Sequence, residues 1–216
     1  MSASESQPAQ TFWQTVYERP AVPWDISAAQ PELASAIARG DIIGPRVLDV
    51  GCGTGDNSIL LARAGFQVTS FDLVEKAVSI AKERIAAAGD LPGSITVFRA
   101  SVFELDKSPI AGAKFDTIVD SAIFHCIGDD AAQGNYVDAI SRHARPGGRL
   151  VLHAFSDQNP DPWVGPRRIS EAHARSFFTE DHGWKVLSVA PARMHDTVHS
   201  GGSAASIFMV AERTRD

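Results

Sequence analysis

Apolar and polar positions along this chain fall into blocks that predict strands and helices in turn. Residues 47–50 read Val-Leu-Asp-Val, a run that predicts a strand covered on both faces. Residues 59–64 are apolar and small, and predict a helix that Gly65 is placed to stop. Residues 66–71 alternate as a second strand. Val74, Ala77, Val78, Ala81, Ile85 and Ala88 then recur at helical spacing, and Gly89 ends that helix. Further strands are expected at 95–99, 115–120, 149–155, 184–189 and 204–210, with Gly201-Gly202 turning a hairpin between the last two. Between them, Tyr136, Val137, Ile140 and Ala144 predict a helix capped by Asp129 or Asp130 and stopped by Arg145-Pro146-Gly147-Gly148. Ala172, Ala174, Phe177 and Phe178 predict another, capped by Ser170. Upstream, residues 11–19 form a short helix with an apolar stripe of Phe12, Trp13, Val16 and Tyr17. Residues 30–39 form a second helix, stopped by Gly40. This alternation predicts an α/β fold with a doubly wound, mostly parallel sheet and an antiparallel last strand. Residues 1–10 read as a disordered tail and 11–216 as one domain, with 11–40 as an N-terminal helical lid.

The bulk properties narrow the class. The chain has 216 residues, enough for one domain with a substantial core. No apolar run approaches the ~20 residues that span a bilayer, and the N-terminus lacks a signal pattern, so no membrane role is expected. Cys52 and Cys126 make no metal or redox spacing, which fits a reducing cytoplasm. The formal net charge of −6 argues against nucleic acid as a partner. A small-molecule substrate is left, and a monomer or homodimer is the expected state.

The chemistry concentrates after the first strand, in Gly51-Cys52-Gly53-Thr54-Gly55-Asp56-Asn57. Glycines let the chain turn sharply and let a ligand approach the backbone. Thr54, Asp56 and Asn57 are placed to cap the following helix. A pyrophosphate loop wants Gly-x-Gly-x-x-Gly, but the third glycine comes one residue early and Asp56 stands in its place. Asp49 and Asp56 would repel a pyrophosphate and suit a ligand carrying a positive sulfonium and ammonium. No Gly-Lys-Ser/Thr follows, so this is no P-loop. Asp72 ends the second strand, where an acid accepts from ribose hydroxyls.

With these motifs the chain resembles the class I S-adenosylmethionine-dependent methyltransferases. Residues 47–55 look like their first motif and Asp72 like their ribose acid. The resemblance implies a Rossmann-like seven-stranded sheet and S-adenosylmethionine as methyl donor. It implies cofactor contacts from Trp24, Asp49, Gly51, Gly53, Thr54, Gly55, Asn57, Asp72, Leu73, Ser101, Val102 and Asp120. The family usually places an acid after its third strand, whereas this chain has Ala100-Ser101-Val102. The Asn/Asp-Pro-Pro-Tyr/Phe tetrapeptide of nucleic-acid amino-methylating enzymes is absent after the fourth strand, as is a paired-glutamate loop.

His125, just past the fourth strand, is the candidate base, and Tyr17 can hold a substrate oxygen if the N-terminal helix closes over the site. His153 and His143 are weaker candidates, and His195 and His199 are further candidates to line the pocket. Arg167-Arg168 can pair with an anionic substrate, with the cofactor carboxylate or with surface acids. Residues 156–166 form a long polar loop around Trp163. Its Asp157 and Asn159 read as turn formers rather than metal ligands, and no metal is expected.

Phe12-Trp13, Pro23-Trp24-Asp25, the run 115–125 and the segments Phe155-Ser156-Asp157 and Gly165-Pro166-Arg167-Arg168 resemble a group of actinobacterial small-molecule methyltransferases. Members of that group methylate heterocyclic and quinone-like toxins, including hydroxylated alkylquinolones. The Pro-Trp-Asp element is also similar to the thiol and halide methyltransferases of plants and bacteria. Phe12, Trp13, Tyr17, Trp24, Phe124 and Trp163 suit a flat aromatic substrate. The preferred expectation is O-methylation of a hydroxylated heteroaromatic. Methylation of a thiol or halide, and cofactor binding without catalysis, stay open beside it.

Overall fold

The structure, a computed structural model, describes residues 10–159 and 165–216. Of the expected tail at 1–10, residues 1–9 lie outside the described residues, as does Trp163, and Gln10 begins the first helix. Seven strands form one sheet in the order β3-β2-β1-β4-β5-β7-β6. They are β1 (Arg46–Val50), β2 (Gln67–Asp72), β3 (Ser94–Arg99), β4 (Phe115–Ser121), β5 (Ala144–Phe155), β6 (Trp184–His195) and β7 (Ser203–Arg213). The pairs β1–β2, β2–β3, β1–β4 and β4–β5 are parallel. β7 runs antiparallel to both β5 and β6, so it alone is reversed. The strand order turns around between β1 and β4, which opens a crevice at their carboxyl ends.

Period-two alternation feeds two layers. Leu48, Ile118, Leu150, Leu152 and Met209 point to one face. There they pack on Tyr136, Val137 and Ile140 of α5 (Asp130–Ser141), and the same layer includes Ala174 of α6 (Glu171–Phe177). Val47, Val68, Val119, Val151 and Phe208 point to the other. They meet Leu33 and Ala36 of α2 (Pro31–Arg39) and Leu61 and Ala62 of α3 (Asp56–Arg63). The same alternation places Asp49 on the α3 face and Asp120 on the α5 face. A third, smaller cluster joins Val16 and Tyr17 of α1 (Gln10–Tyr17) to Val22 and to Val74 and Ala77, at the start of α4 (Glu75–Ala87).

Four expectations need correction. Ala144 belongs to β5, not to the helix before it. That helix ends at Ser141, because the His143 carbonyl already accepts from Phe115 N–H at 2.8 Å and starts the strand pairing. Arg145 to Gly148 therefore do not stop a helix; they form an irregularity between the pairs Phe115–Ala144 and Thr117–Arg149. Helix α3 has Gly55 at its cap with no side-chain cap bond, so Thr54, Asp56 and Asn57 do not cap it. β6 also runs six residues past its expected end, to His195, by pairing with β7 along its whole length. It tolerates Pro191 because it is the edge strand.

Candidate functional site

The loop after β1 is held by its neighbours on both sides. Gly51 has φ 63°, and a side chain there would run into Ile123, past the end of β4. Cys52 N–H donates to the Phe71 carbonyl at 2.9 Å. Gly53 N–H donates to Asp72 Oδ2 at 3.0 Å, and Val74 N–H to Oδ1 at 2.9 Å. Asp72 thus ties the glycine loop to the end of β2. The Leu73 N–H also faces this carboxylate, which keeps lone-pair capacity for a ligand.

Three buried carboxylates lie at the carboxyl ends of β1, β2 and β4: Asp49, Asp72 and Asp120. No cationic side chain among the described residues offsets them. Burial pushes the Asp49 carboxyl up to about 6, and the charges of Asp72 and Asp120 add to the rise, while a 2.5 Å bond from Ser58 Oγ opposes it. Burial also raises Asp72, against its backbone N–H donors. Asp120 is likewise pushed up to about 6 by burial. Its carboxylate accepts from Tyr136 Oη at 2.6 Å, from Ile123 N–H at 2.8 Å and from Phe124 N–H. The hydrogen bonds of Asp120 are therefore those of a residue that shapes the turn after β4, not those of a cofactor contact. A site with uncompensated negative charge fits a ligand that brings positive charge.

The N-terminal segment lies against this loop. A side chain on Gly53 would come within 3.2 Å of Tyr17 Oη. Tyr17 Oη accepts from Trp24 Nε1 at 3.1 Å, and the two rings meet edge to face. Burial first, and then the Asp72 charge, raise the Tyr17 pKa, so its hydroxyl stays protonated and is a donor. Arg84 of α4 holds the segment down. Its guanidinium bonds Asp25 through both nitrogens, at 3.1 and 2.7 Å, and also reaches Thr54 Oγ1 and Asp56. Gln30 adds a second tie: its N–H donates to Asn57 Oδ1, and its side-chain amide exchanges two 2.9 Å bonds with the His195 backbone. Beyond β3, Ser101 Oγ accepts from Phe103 N–H at 3.3 Å and caps a short 3₁₀ turn that begins at Val102. The Leu73 carbonyl accepts from Arg99 Nε at 3.2 Å.

On the far side of the crevice, Ala122 is held at φ 75°, a conformation rare for alanine. His125 follows it, 2% exposed. Its Nδ1 accepts from Phe155 N–H at 3.0 Å, so the neutral ring carries its proton on Nε2. Its ring stacks on Phe155, 4.8 Å between centroids with 6° between planes. Burial, then His153, lower its pKa to about 3. His153 itself bonds Ser206 Oγ at 2.9 Å within the sheet. Arg167 pairs with Asp130, and Arg168 donates to the Asn159 carbonyl. Asn159 bonds Ala205 twice, and the side-chain bonds of Asp157 stay with its neighbours Ser156 and Gln158. No group of three or more metal-ligating side chains exists among the described residues. No described helix is long and apolar enough to cross a membrane.

Arg84 and Gln30 matter here and carried no site signal in the sequence, whereas Phe155 stood in the segment Phe155-Ser156-Asp157. Asp196 had one: it stands three residues before His199 and bonds it at 2.7 Å. A separate hollow of about 620 Å³, lined by Lys114, His143, Arg213 and Asp216 among others, lies at the opposite edge of the sheet, away from the carboxyl ends where such folds place chemistry.

A family model described as a methyltransferase domain matches residues 47–148. The 2-heptyl-1-hydroxyquinolin-4(1H)-one methyltransferase of Mycobacteroides abscessus is 30% identical over 185 residues, 84% of this chain and 78% of that protein. A solved structure from work on conversion of a disulfide bond into a thioacetal group during echinomycin biosynthesis superposes with TM-score 0.78. It is 28% identical and covers 95% of this chain and 93% of that one. The Burkholderia thailandensis 1,6-didemethyltoxoflavin-N1-methyltransferase, solved with 1,6-didemethyltoxoflavin and S-adenosylhomocysteine, superposes with TM-score 0.70. At 22% identity, over 94% of this chain and 86% of that one, it attests the fold.

Proposed function

This chain belongs to the class I S-adenosylmethionine-dependent methyltransferases, and from that premise we propose that it O-methylates a small hydroxylated heteroaromatic such as a hydroxyquinolone. The observation that carries the proposal is the set of aromatic rings around the crevice: Tyr17 and Trp24 meet edge to face against the glycine loop, and His125 stacks on Phe155 at the end of β5. A planar ring system held among aromatic rings gains area and stacking together. The hydroxyquinolone relative supports the same reading.

The residues present fit the methyl donor. Gly51 and Gly53 leave backbone bare, and the uncompensated Asp49 and Asp72 suit a sulfonium and an ammonium. Asp72 would hold the ribose hydroxyls, Ser101 and Val102 the adenine edge, and Tyr17 and Trp24 would cover the methionine end. When bound, the donor supplies a methyl carbon already activated by positive sulfur. The protein's share is to align the acceptor oxygen, exclude water and manage a proton. His125 is assigned to alignment: its Nδ1 is occupied by Phe155 N–H, and its Nε2–H donates rather than accepts. Tyr17, held protonated, donates as well.

Thiol methylation is the second reading, supported by the 28% identical structure from disulfide chemistry. A thiol is partly ionised near neutrality and needs no positioned base.

A screen of hydroxyquinolones, phenols, thiols and iodide, followed by S-adenosylhomocysteine release, tests the proposal. A hydroxylated heteroaromatic should lead by about tenfold or more in kcat/KM, a margin of about 1.4 kcal/mol in transition-state stabilisation. A thiol or iodide in first place overturns it.

A further inference from the structure

We propose that the crevice selects its methyl acceptor by charge: it takes uncharged or cationic ring systems and rejects those bearing a carboxylate, sulfate or phosphate, with Asp120 as the specificity-determining residue. The inference deepens the O-methylation reading and rests on its placing the acceptor in the crevice between β1 and β4.

Three carboxylates stand at one end of three neighbouring strands. Asp49 is in β1, Asp72 ends β2, and Asp120 is in register with Val50 of β1 and Leu152 of β5. Each is 8% exposed or less. Asp120 lies on the β4 side, where its oxygens hold the turn that carries His125. Its donors are the Tyr136 hydroxyl and two backbone N–H groups, all neutral. They keep the carboxylate solvated without cancelling its charge.

The cations that could cancel it are engaged elsewhere. Residues 1–9 and 160–164 contain no lysine or arginine, so all 20 in the chain are among the described residues. Arg84, bordering the crevice, is shared by Asp25 and Asp56. Arg167 pairs with Asp130, Arg168 donates to the Asn159 carbonyl, and Arg99 donates to the Leu73 carbonyl. Arg99 is also in register with Asp72, yet burial and backbone donors set that carboxyl. Arg19 and Lys76 are exposed. No cation acts on Asp49, Asp72, Asp120 or Tyr17, and His125 is neutral.

The donor does not reverse this balance. S-adenosylmethionine brings a sulfonium, an ammonium and a carboxylate, a single net positive charge against three carboxylates. An anionic acceptor therefore meets like charge in a site poor in water, where such repulsion is strongest. A hydroxyl that keeps its proton on arrival escapes the penalty.

The test uses the full chain and three hydroxyquinolines matched in ring position, bearing a carboxylate, a carboxamide or an aminomethyl group. Assays at about pH 8 keep Asp49 and Asp120, pushed up to about 6, in the ionised form. The carboxylate should fall below the carboxamide by about tenfold or more in kcat/KM, while the ammonium stays level with the carboxamide or above it. Asp120→Asn keeps an oxygen for the Tyr136 hydroxyl and should narrow the carboxamide-to-carboxylate ratio by about threefold or more. The ratio is read within one protein, so a general loss of activity in the variant cancels. A carboxylate equal to or better than its carboxamide in wild type overturns the inference and leaves O-methylation intact. An ammonium that loses as much as the carboxylate also overturns it, since desolvation penalises both signs and a negative site only one. An unchanged ratio in folded Asp120→Asn removes Asp120 from the assignment. Turnover of thiols alone overturns O-methylation, and mercaptobenzoate against its amide then reads the charge rule by the same criterion.

Discussion

His125 and Phe155 are joined twice. Their rings lie parallel with centroids 4.8 Å apart, and the backbone N–H of Phe155 donates to the imidazole Nδ1 at 3.0 Å. One residue from the loop after β4 therefore sets both the backbone and the ring of the last residue of β5. Replacing His125 by Ala removes the stack and leaves a part-buried N–H without its acceptor. The expected cost is about 1.5–4.5 kcal/mol, from about 1–3 for the orphaned donor and about 0.5–1.5 for the ring pair. Denaturant unfolding checks it. Because the ring is neutral throughout, the shape of the kcat/KM profile between pH 5 and 8 should not change in a folded His125→Asn enzyme.

The buried groups oppose one another in acid. His125 and His153, each lowered to about 3, contribute stability that is fully present above about 6.5 and lost as pH falls toward 3. Asp49 and Asp120, each pushed up to about 6, contribute stability that is full below about 3.8 and lost as pH rises through 6. Between about pH 4 and 6 the two trends offset, so the melting temperature of ligand-free protein should be nearly flat there. The His125→Asn protein, lacking one of the acid-labile terms, should rise relative to wild type on acidification. Differential scanning fluorimetry across this range reads both.

Binding of the methyl donor should weaken as pH falls through about 6. Its positive charge meets Asp49 in the ionised form above that value and in the neutral form below it. Calorimetry at pH 7.5 and 5 should show at least a severalfold loss at the lower pH. Equal affinity at both would remove the electrostatic account of the site.

Arg84→Met takes away the cation shared by Asp25, Asp56 and Thr54. Part of that network is solvent-exposed, so the effect on global stability should be modest, about 1 kcal/mol or less. Its local effect should be larger. Protease should cleave between residues 17 and 30 sooner than in wild type, and donor affinity should fall roughly tenfold, about 1.4 kcal/mol.

Gly51→Ala should abolish donor binding. The residue needs φ 63°, and the added carbon would displace Ile123. The left-handed conformation alone costs roughly 1–2 kcal/mol, and moving Ile123 disturbs the turn that Asp120 holds. Calorimetry against S-adenosylhomocysteine, with circular dichroism to confirm folding, measures the loss.

The strands and the glycine loop were legible because each rests on local chemistry. Val47, Leu48 and Val50 are apolar on both faces, Gly51 and Gly53 serve backbone needs, and Asp72 ends a strand. Asp129 and Ser170 cap their helices as their side chains predict. The misplaced pieces depended on distant partners. Ala144 looks helical until Phe115 claims the neighbouring carbonyl for the sheet. Asn57 looks like a cap until Gln30 takes its oxygen. Asp120 looks like a ligand contact until Tyr136 and the next turn fill its lone pairs. His125 has the right location for a base, yet its tautomer is set by a residue thirty positions on. Nothing local to Arg84 distinguishes it from a solvated helix arginine.

The ties Gln30–His195 and Pro23–Thr197 join positions 165 and 174 residues apart. Their order of synthesis follows from that distance. A growing chain that has reached β5 already holds the glycine loop and Asp72, but the anchor for residues 23–30 has yet to be made. The cover over the loop is completed only when the final hairpin arrives, so a chain interrupted before β6 has a binding loop without its cover. Completing β6 and β7 thus becomes a checkpoint in biogenesis: the glycine loop gains its cover only once that hairpin has been made.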